Sequence, residues 1–338
     1  MSLPAKYLKD CQIKLGHTLT PVTMPQYGFG TASPMDQLEI TKESVKVAIK
    51  EAGVRHIDTA RFYGYGKIEY IIGEAIQELI AEKVITREEL FITTKVWPTY
   101  WDKAKESLDI SLKALQIDYV DLLLQHWPFC YPKIVNPETG EWYGNPKDPK
   151  TGKVLYETEG DFFTTYRQID AIYNDPSNKS VKAIGVSNFN VQQLEKIFND
   201  DTIKTKPSVL QVELNPQLTQ VELYDYCNSH GIVLTGYSPL GSTGAPILKL
   251  PEIQEIAKFH KITPYDVVIS WFMIKKLVVI PRSLNPKRIA TMKYYYDLPS
   301  EDIAKIDNIG VTKPFRHIDE DFAAILPGFT GRTKTTAD

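Results

Sequence analysis

Cysteine is scarce in this chain of 338 residues: Cys11, Cys130 and Cys227 lie far apart and form no Cys-x-x-Cys pair. An odd number at such spacing excludes a disulfide framework and offers no zinc-ligand pattern. It fits a reducing compartment, so a cytoplasmic location is expected. Long apolar runs are also missing. The longest, from Val267 to Ile274, is interrupted by Ser270 and falls far short of the roughly 20 residues that cross a bilayer. The opening stretch MSLPAKYLKDCQIKLG has no apolar core of the kind a secretion signal carries. No membrane partner is expected. Positive charge is not in excess either: 39 Lys and Arg stand against 42 Asp and Glu. A nucleic-acid partner needs a basic face, so none is expected, and any anion site must be local. Nothing in the sequence separates a monomer from a homodimer.

What is present is alternation. Apolar residues make up 43% of the chain, enough for a sizeable core. After a hairpin over residues 13–22 with Gly16 in its turn, short β-branched or aromatic runs alternate with longer amphipathic stretches. Strands are expected at 26–30, 54–57, 90–93, 120–124, 182–186, 209–212, 232–235 and 278–280. Helices are expected near 41–52, 68–82, 102–115, 162–173, 191–198, 221–230, 252–260 and 265–275. Strand–helix repetition implies a parallel sheet, and eight repeats close into a (β/α)₈ TIM barrel. A doubly wound sheet would need a Gly-x-Gly-x-x-Gly loop after its first strand. Gly28-Phe-Gly30-Thr-Ala-Ser33 lacks the third glycine. Two segments depart from the rhythm. Residues 128–160 hold five prolines and four glycines, a long loop after the fourth strand that is expected to be functional or mobile. The tail from 311 to 338 keeps Phe315, Phe322, Ile325, Leu326 and Phe329, so its first part is expected to pack over the active face and its last ten residues to fray. The whole chain reads as a single domain.

Asp58, Lys95 and His126 each end an expected strand, and Tyr63 follows Asp58 by five residues. In a barrel such positions converge on one mouth, where they read as catalytic. A free tyrosine has a pKa of about 10 and donates a proton poorly near neutrality. A Lys95 ammonium beside the phenol of Tyr63 is expected to lower that value by roughly two units, enough for general-acid work. Asp58 would keep Lys95 charged, and His126 would hydrogen-bond an incoming carbonyl oxygen. Other readings remain. Lys95 at a strand end suits a Schiff-base lyase if its amine is neutral. A cofactor-binding barrel without turnover would be a redox sensor. The pair Tyr63…Lys67 matches the Tyr-x-x-x-Lys of short-chain dehydrogenases, but that pair belongs on a helix and Gly64 and Gly66 argue against one.

The strings GFGT (28–31), GVRHIDTARFYG (53–64), ITTKVWP (92–98), DLLLQHWP (121–128), IGVSNF (184–189), GYSPLG (236–241) and IPRSLNPKRI (280–289) resemble the motif series of the aldo-keto reductases across nearly the whole chain. The resemblance implies a (β/α)₈ barrel, an NADPH/NADP cofactor without a metal, and Asp58, Tyr63, Lys95 and His126 as its catalytic set. It implies that Ser187, Asn188 and Gln211 hold the nicotinamide carboxamide. Tyr237 would stack on the ring, with Ser238 and Leu240 beside it. Arg282, Ser283 and Arg288 lie by a short helix after the last strand, where basic groups suit a phosphate, and the resemblance makes them 2′-phosphate contacts that favour NADPH over NADH. The chain departs from its relatives at Arg282, Thr291-Met292 and Gly244. At Ala32 many relatives place an aromatic, so Trp97, Trp127 and Phe129 are expected to wall the substrate pocket. The partner expected is a small carbonyl compound or sugar. Within the family, DLLLQHWP, GYSPLGSTGAP, VIPRSLNP and FAAILPGFTG are most similar to a member that oxidises aldoses. D-arabinose is then one candidate, and aldehydes or activated dicarbonyls are others.

Overall fold

A computed structural model describes residues 3–318, and within them eight parallel strands run in unbroken chain order. They are Gly28–Gly30, His56–Asp58, Phe91–Val96, Leu122–Gln125, Ile184–Ser187, Val209–Glu213, Val233–Tyr237 and Val278–Val279. The first and last meet through a parallel bridge between Tyr27 and Val279, and the Gly30 N–H donates to the Pro281 carbonyl at 3.0 Å. The sheet is therefore a closed (β/α)₈ barrel, as the strand–helix alternation led us to expect. Helices Leu38–Lys50, Lys67–Ala81, Ala104–Leu115, Phe162–Asn174, Val191–Phe198 and Val221–His230 follow the first six strands. Pro251–His260 and Pro264–Ile274 follow the seventh, and the short helix Pro286–Ile289 follows the eighth.

Strand periodicity decides what faces inward. In the third strand, Ile92 and Val96 join the layer between sheet and helices, while Phe91 lies in a separate cluster inside the barrel. Lys95 shares the face of Phe91 by spacing alone. The inner cluster gathers Phe91, Leu122, Val209, Val233 and Val278, which open their strands, together with Leu15, Val22 and Met24. Those last three belong to the hairpin formed by Gln12–Lys14 and Thr23–Pro25. The hairpin thus plugs the N-terminal end and leaves only the C-terminal mouth open.

Three parts of the chain differ from expectation. Strand Tyr294–Tyr296 pairs antiparallel with Ala5–Tyr7, a contact between opposite ends of the chain. Helix Ser300–Thr312 also went unread, although Ile303, Ile306 and Ile309 have helical spacing. The long insertion after the fourth strand is not structureless. It holds two small antiparallel bridges, Val135 with Trp142 and Lys147 with Val154. Of the tail, residues 313–318 are described, and the expectations for Phe322, Ile325, Leu326, Phe329 and the last ten residues lie outside the described part.

Candidate active site

The mouth opens on a cavity of about 1290 Å³. Asp58 closes the second strand and Lys95 sits one residue before the end of the third, both on the inward face. The Lys95 ammonium donates to Asp58 Oδ1 at 2.6 Å, to the Thr59 carbonyl at 2.8 Å and to Tyr63 Oη at 3.3 Å. An ammonium has three hydrogens, and all three are placed. Because Lys95 donates to the Tyr63 oxygen, the phenol proton points away from Lys95. Lys95 itself does not line the cavity, which Asp58, Tyr63 and His126 do. Burial alone would lower the lysine pKa, but the Asp58 carboxylate and the Tyr63 oxygen together raise it above its ordinary value. An amine so held is charged and unavailable as a nucleophile, which counts against the Schiff-base reading.

Tyr63 departs from expectation. Burial raises its phenol above the ordinary pKa, and the nearby Lys95 charge offsets this only in part. The reason lies next to it: Lys95 is already compensated by Asp58, so little positive potential is left to stabilise a phenolate. Tyr63 therefore rests as a neutral hydroxyl. It sits in a short irregular turn in which Gly64 and Tyr65 both have positive φ, and the short helix Tyr63–Gly66 gives way to Lys67–Ala81. The turn reverses the chain after the second strand and brings the phenol back over Lys95. His126 follows the fourth strand directly and lies edge-on to Tyr63, ring centroids 5.7 Å apart. Burial, helped by the Lys95 charge, pushes its pKa well below the usual histidine range. The ring is neutral, and its Nδ1 is buried without a partner among the described residues.

The expected cofactor residues divide into two sets. Asn188, Gln211, Tyr237, Ser238, Leu240, Arg282, Ser283 and Arg288 all line the cavity. Ser187 does not; its hydroxyl donates to the Gln211 carbonyl at 2.8 Å. Gln211 carries a link that no local pattern announces: its amide donates to Asp58 Oδ2 at 2.7 Å across the barrel. Asn188 accepts from the Tyr237 hydroxyl at 2.8 Å and donates to the His126 carbonyl at 3.0 Å. Among the described residues no carboxylate pairs with Arg282 or Arg288. Arg282 is exposed at the mouth, and partial desolvation by its neighbours lowers its pKa. A partly desolvated guanidinium without a counter-ion fits an anionic group such as a phosphate.

Of the expected pocket walls, Trp97 and Trp127 face the cavity. Phe129 is not among its lining residues and instead stacks on Trp127 at 5.9 Å, which corrects its placement. Phe62 lines the cavity and was missed, though its place beside Tyr63 was the available signal. Where the tail begins, the His317 and Ile318 N–H groups donate to the two oxygens of buried Glu213, and Ile318 reaches the cavity.

A profile of the aldo/keto reductase family matches residues 27–311. The chain is 39% identical over 295 residues to glycerol 2-dehydrogenase (NADP(+)) of Saccharomyces cerevisiae, covering 87% of this chain and 90% of that protein. It is 37% identical to prostaglandin-E(2) 9-reductase of Oryctolagus cuniculus, covering 90% and 94%. Aldehyde reductase YPR1 of S. cerevisiae is 34% identical, covering 86% and 88%. With the closed barrel and the mouth described above, these matches show that the chain belongs to the aldo/keto reductase family of oxidoreductases.

Proposed function

We propose that this protein is an NADPH-linked reductase that interconverts carbonyls and alcohols, with Tyr63 as the proton donor. The observation that carries the reading is the Lys95 ammonium shared between Asp58 and Tyr63 beneath the cavity. A bound nicotinamide would supply or accept the hydride at this mouth. Neutral His126 donates a hydrogen bond to the carbonyl oxygen and fixes its position. As negative charge develops there, the Tyr63 O–H gives up its proton to that oxygen. The phenolate left behind faces Lys95, whose charge matters at this moment rather than in the resting site. Asp58 holds Lys95, and Gln211 holds Asp58. Arg282, Ser283 and Arg288 are assigned to the 2′-phosphate, Asn188 and Gln211 to the carboxamide, and Tyr237 to the ring face. The yeast relative named as NADP(+)-dependent supports this choice of cofactor.

For the substrate, the aromatic walls Phe62, Trp97 and Trp127 suit aldehydes and activated dicarbonyls. The motif strings support oxidation of aldoses at C1, with D-arabinose the first to try. The free thiols Cys11, Cys130 and Cys227 support a cytoplasmic setting. The test is a kinetic panel of aldoses with NADP against aldehydes and dicarbonyls with NADPH. Tyr63→Phe is expected to lose about a hundredfold or more in turnover while NADPH still quenches tryptophan fluorescence. Binding of NADPH with no turnover of any carbonyl would favour the redox-sensor reading.

A further inference from the structure

Gly144 lies in the insertion after the fourth strand, between the bridge of Val135 with Trp142 and that of Lys147 with Val154. It is buried and does not line the cavity. Its carbonyl accepts the Trp97 indole N–H at 2.5 Å. A Cβ at this position would stand 1.4 Å from Phe62 Cζ and 1.6 Å from Cε1. Phe62 in turn stacks on Trp97, centroids 5.1 Å apart and planes 16° apart. Both rings line the cavity beside the proton-transfer groups: Phe62 precedes Tyr63, and Trp97 packs edge-on against His126 at 4.8 Å. One peptide unit of the insertion thus locates two walls of the cavity without touching it.

Two further observations decide what a side chain there would do. Gly144 is not among the residues with positive φ, so no left-handed backbone calls for glycine there, and the nearest obstacle to a side chain is the Phe62 ring. The insertion is also anchored nearby. Trp142 packs on Tyr100 at 5.1 Å beneath the ammonium groups of Lys103 and Lys133, and Lys133 pairs with Asp102 at 2.5 Å. A methyl group at 144 would therefore move Phe62 against Trp97 and into the cavity rather than lift the insertion away.

We propose that Gly144 is a specificity-determining position. By lacking a side chain and by holding the Trp97 N–H, it sets how far Phe62 and Trp97 stand from the substrate carbonyl, and so how bulky a carbonyl compound Tyr63 and His126 accept. The inference rests on the function proposed above. The test compares Gly144→Ala with the unmodified full chain on propanal and on 2-naphthaldehyde, with NADPH affinity measured separately. The expected result is a rise of about tenfold or more in KM for the naphthaldehyde, in line with the effect of small displacements on reacting geometry. Turnover of propanal and NADPH affinity should change by less than about twofold. In a Phe62→Leu background the methyl has room, and the cost of Gly144→Ala should largely vanish. Equal losses on both aldehydes, or an undiminished cost in the Phe62→Leu background, would overturn the proposal. If Gly144→Ala does not fold, the double variant with Phe62→Leu must fold, because the ring that meets the new methyl is gone; a double variant that also fails to fold would overturn the proposal. If the unmodified protein reduces neither aldehyde, the functional reading fails instead. A crystal structure of Gly144→Ala with Phe62 unmoved then refutes the present inference on its own.

Discussion

If Tyr63 is the proton donor, as proposed, it needs help to part with its proton, and the way that help is arranged sets its pH behaviour. Burial holds the phenol neutral and above its ordinary pKa in the resting site. In the proposed transfer, Lys95 would act on the phenolate as it forms. Reduction is therefore expected to show no loss of activity from Tyr63 between neutral pH and its ordinary pKa of about 10. A pH profile of kcat/KM for aldehyde reduction checks this, and a fall centred near pH 8 would mean that the phenol ionises earlier. At the other end of the cavity, Arg282→Met is expected to weaken NADPH binding by about tenfold or more, as befits a charged hydrogen-bonding group, and to leave NADH binding nearly unchanged. Comparable losses for both cofactors in a titration would remove Arg282 from the phosphate site.

A single strand can serve the site and the core together because its faces alternate. The second strand places Ile57 outward in the main core and Asp58 at the mouth. His56, on the same inward face, lies wholly buried with its Nε2 3.1 Å from Thr93 Oγ1. Burial lowers the His56 pKa to about 4 from an ordinary value of 6.5. Between those values the unfolded chain binds a proton that the folded chain refuses. Stability is thus full above about pH 6.5 and declines as pH falls toward 4, by about 3 kcal/mol in total from this residue. Denaturant unfolding of His56→Gln is expected to show a shallower decline than the parent between those pH values. Parallel curves would mean that His56 does not carry that dependence. The sequence made this strand legible through Asp58, but it gave no sign that its first residue is a buried titrating group.

For the whole molecule, barrel closure ties folding to the site. Strands from both ends of the chain meet at the Tyr27–Val279 bridge, and the cavity draws residues from every side of the ring. A ligand in that cavity should then stabilise the fold as a unit. NADPH at a hundred times its dissociation constant is expected to add about 2.7 kcal/mol and raise Tm by several degrees. Thermal scans with and without NADPH measure this, and the increment should shrink in Arg282→Met at the same concentration. An unshifted Tm at saturating NADPH would deny that the cavity is the cofactor site.

What the sequence determined by itself was local or periodic. Strand–helix alternation, the alternation within strands that turns Asp58, Lys95 and Gln211 inward, and the motif series all depend on near neighbours, so they were legible. Helix Ser300–Thr312 carries a readable spacing in Ile303, Ile306 and Ile309. The pairing of Ala5–Tyr7 with Tyr294–Tyr296 had no local signal at all. Only the tertiary structure decided the rest. The direction of the Tyr63 shift depends on burial competing with a lysine whose charge Asp58 has already taken up. The link from Gln211 to Asp58 spans the barrel. Phe129 lies off the cavity while Phe62 turns into it, and Gly144 matters only because a ring from the turn after the second strand lies against it. Each of these follows from what fills the space around a group, which depends on distances that spacing along the chain does not encode.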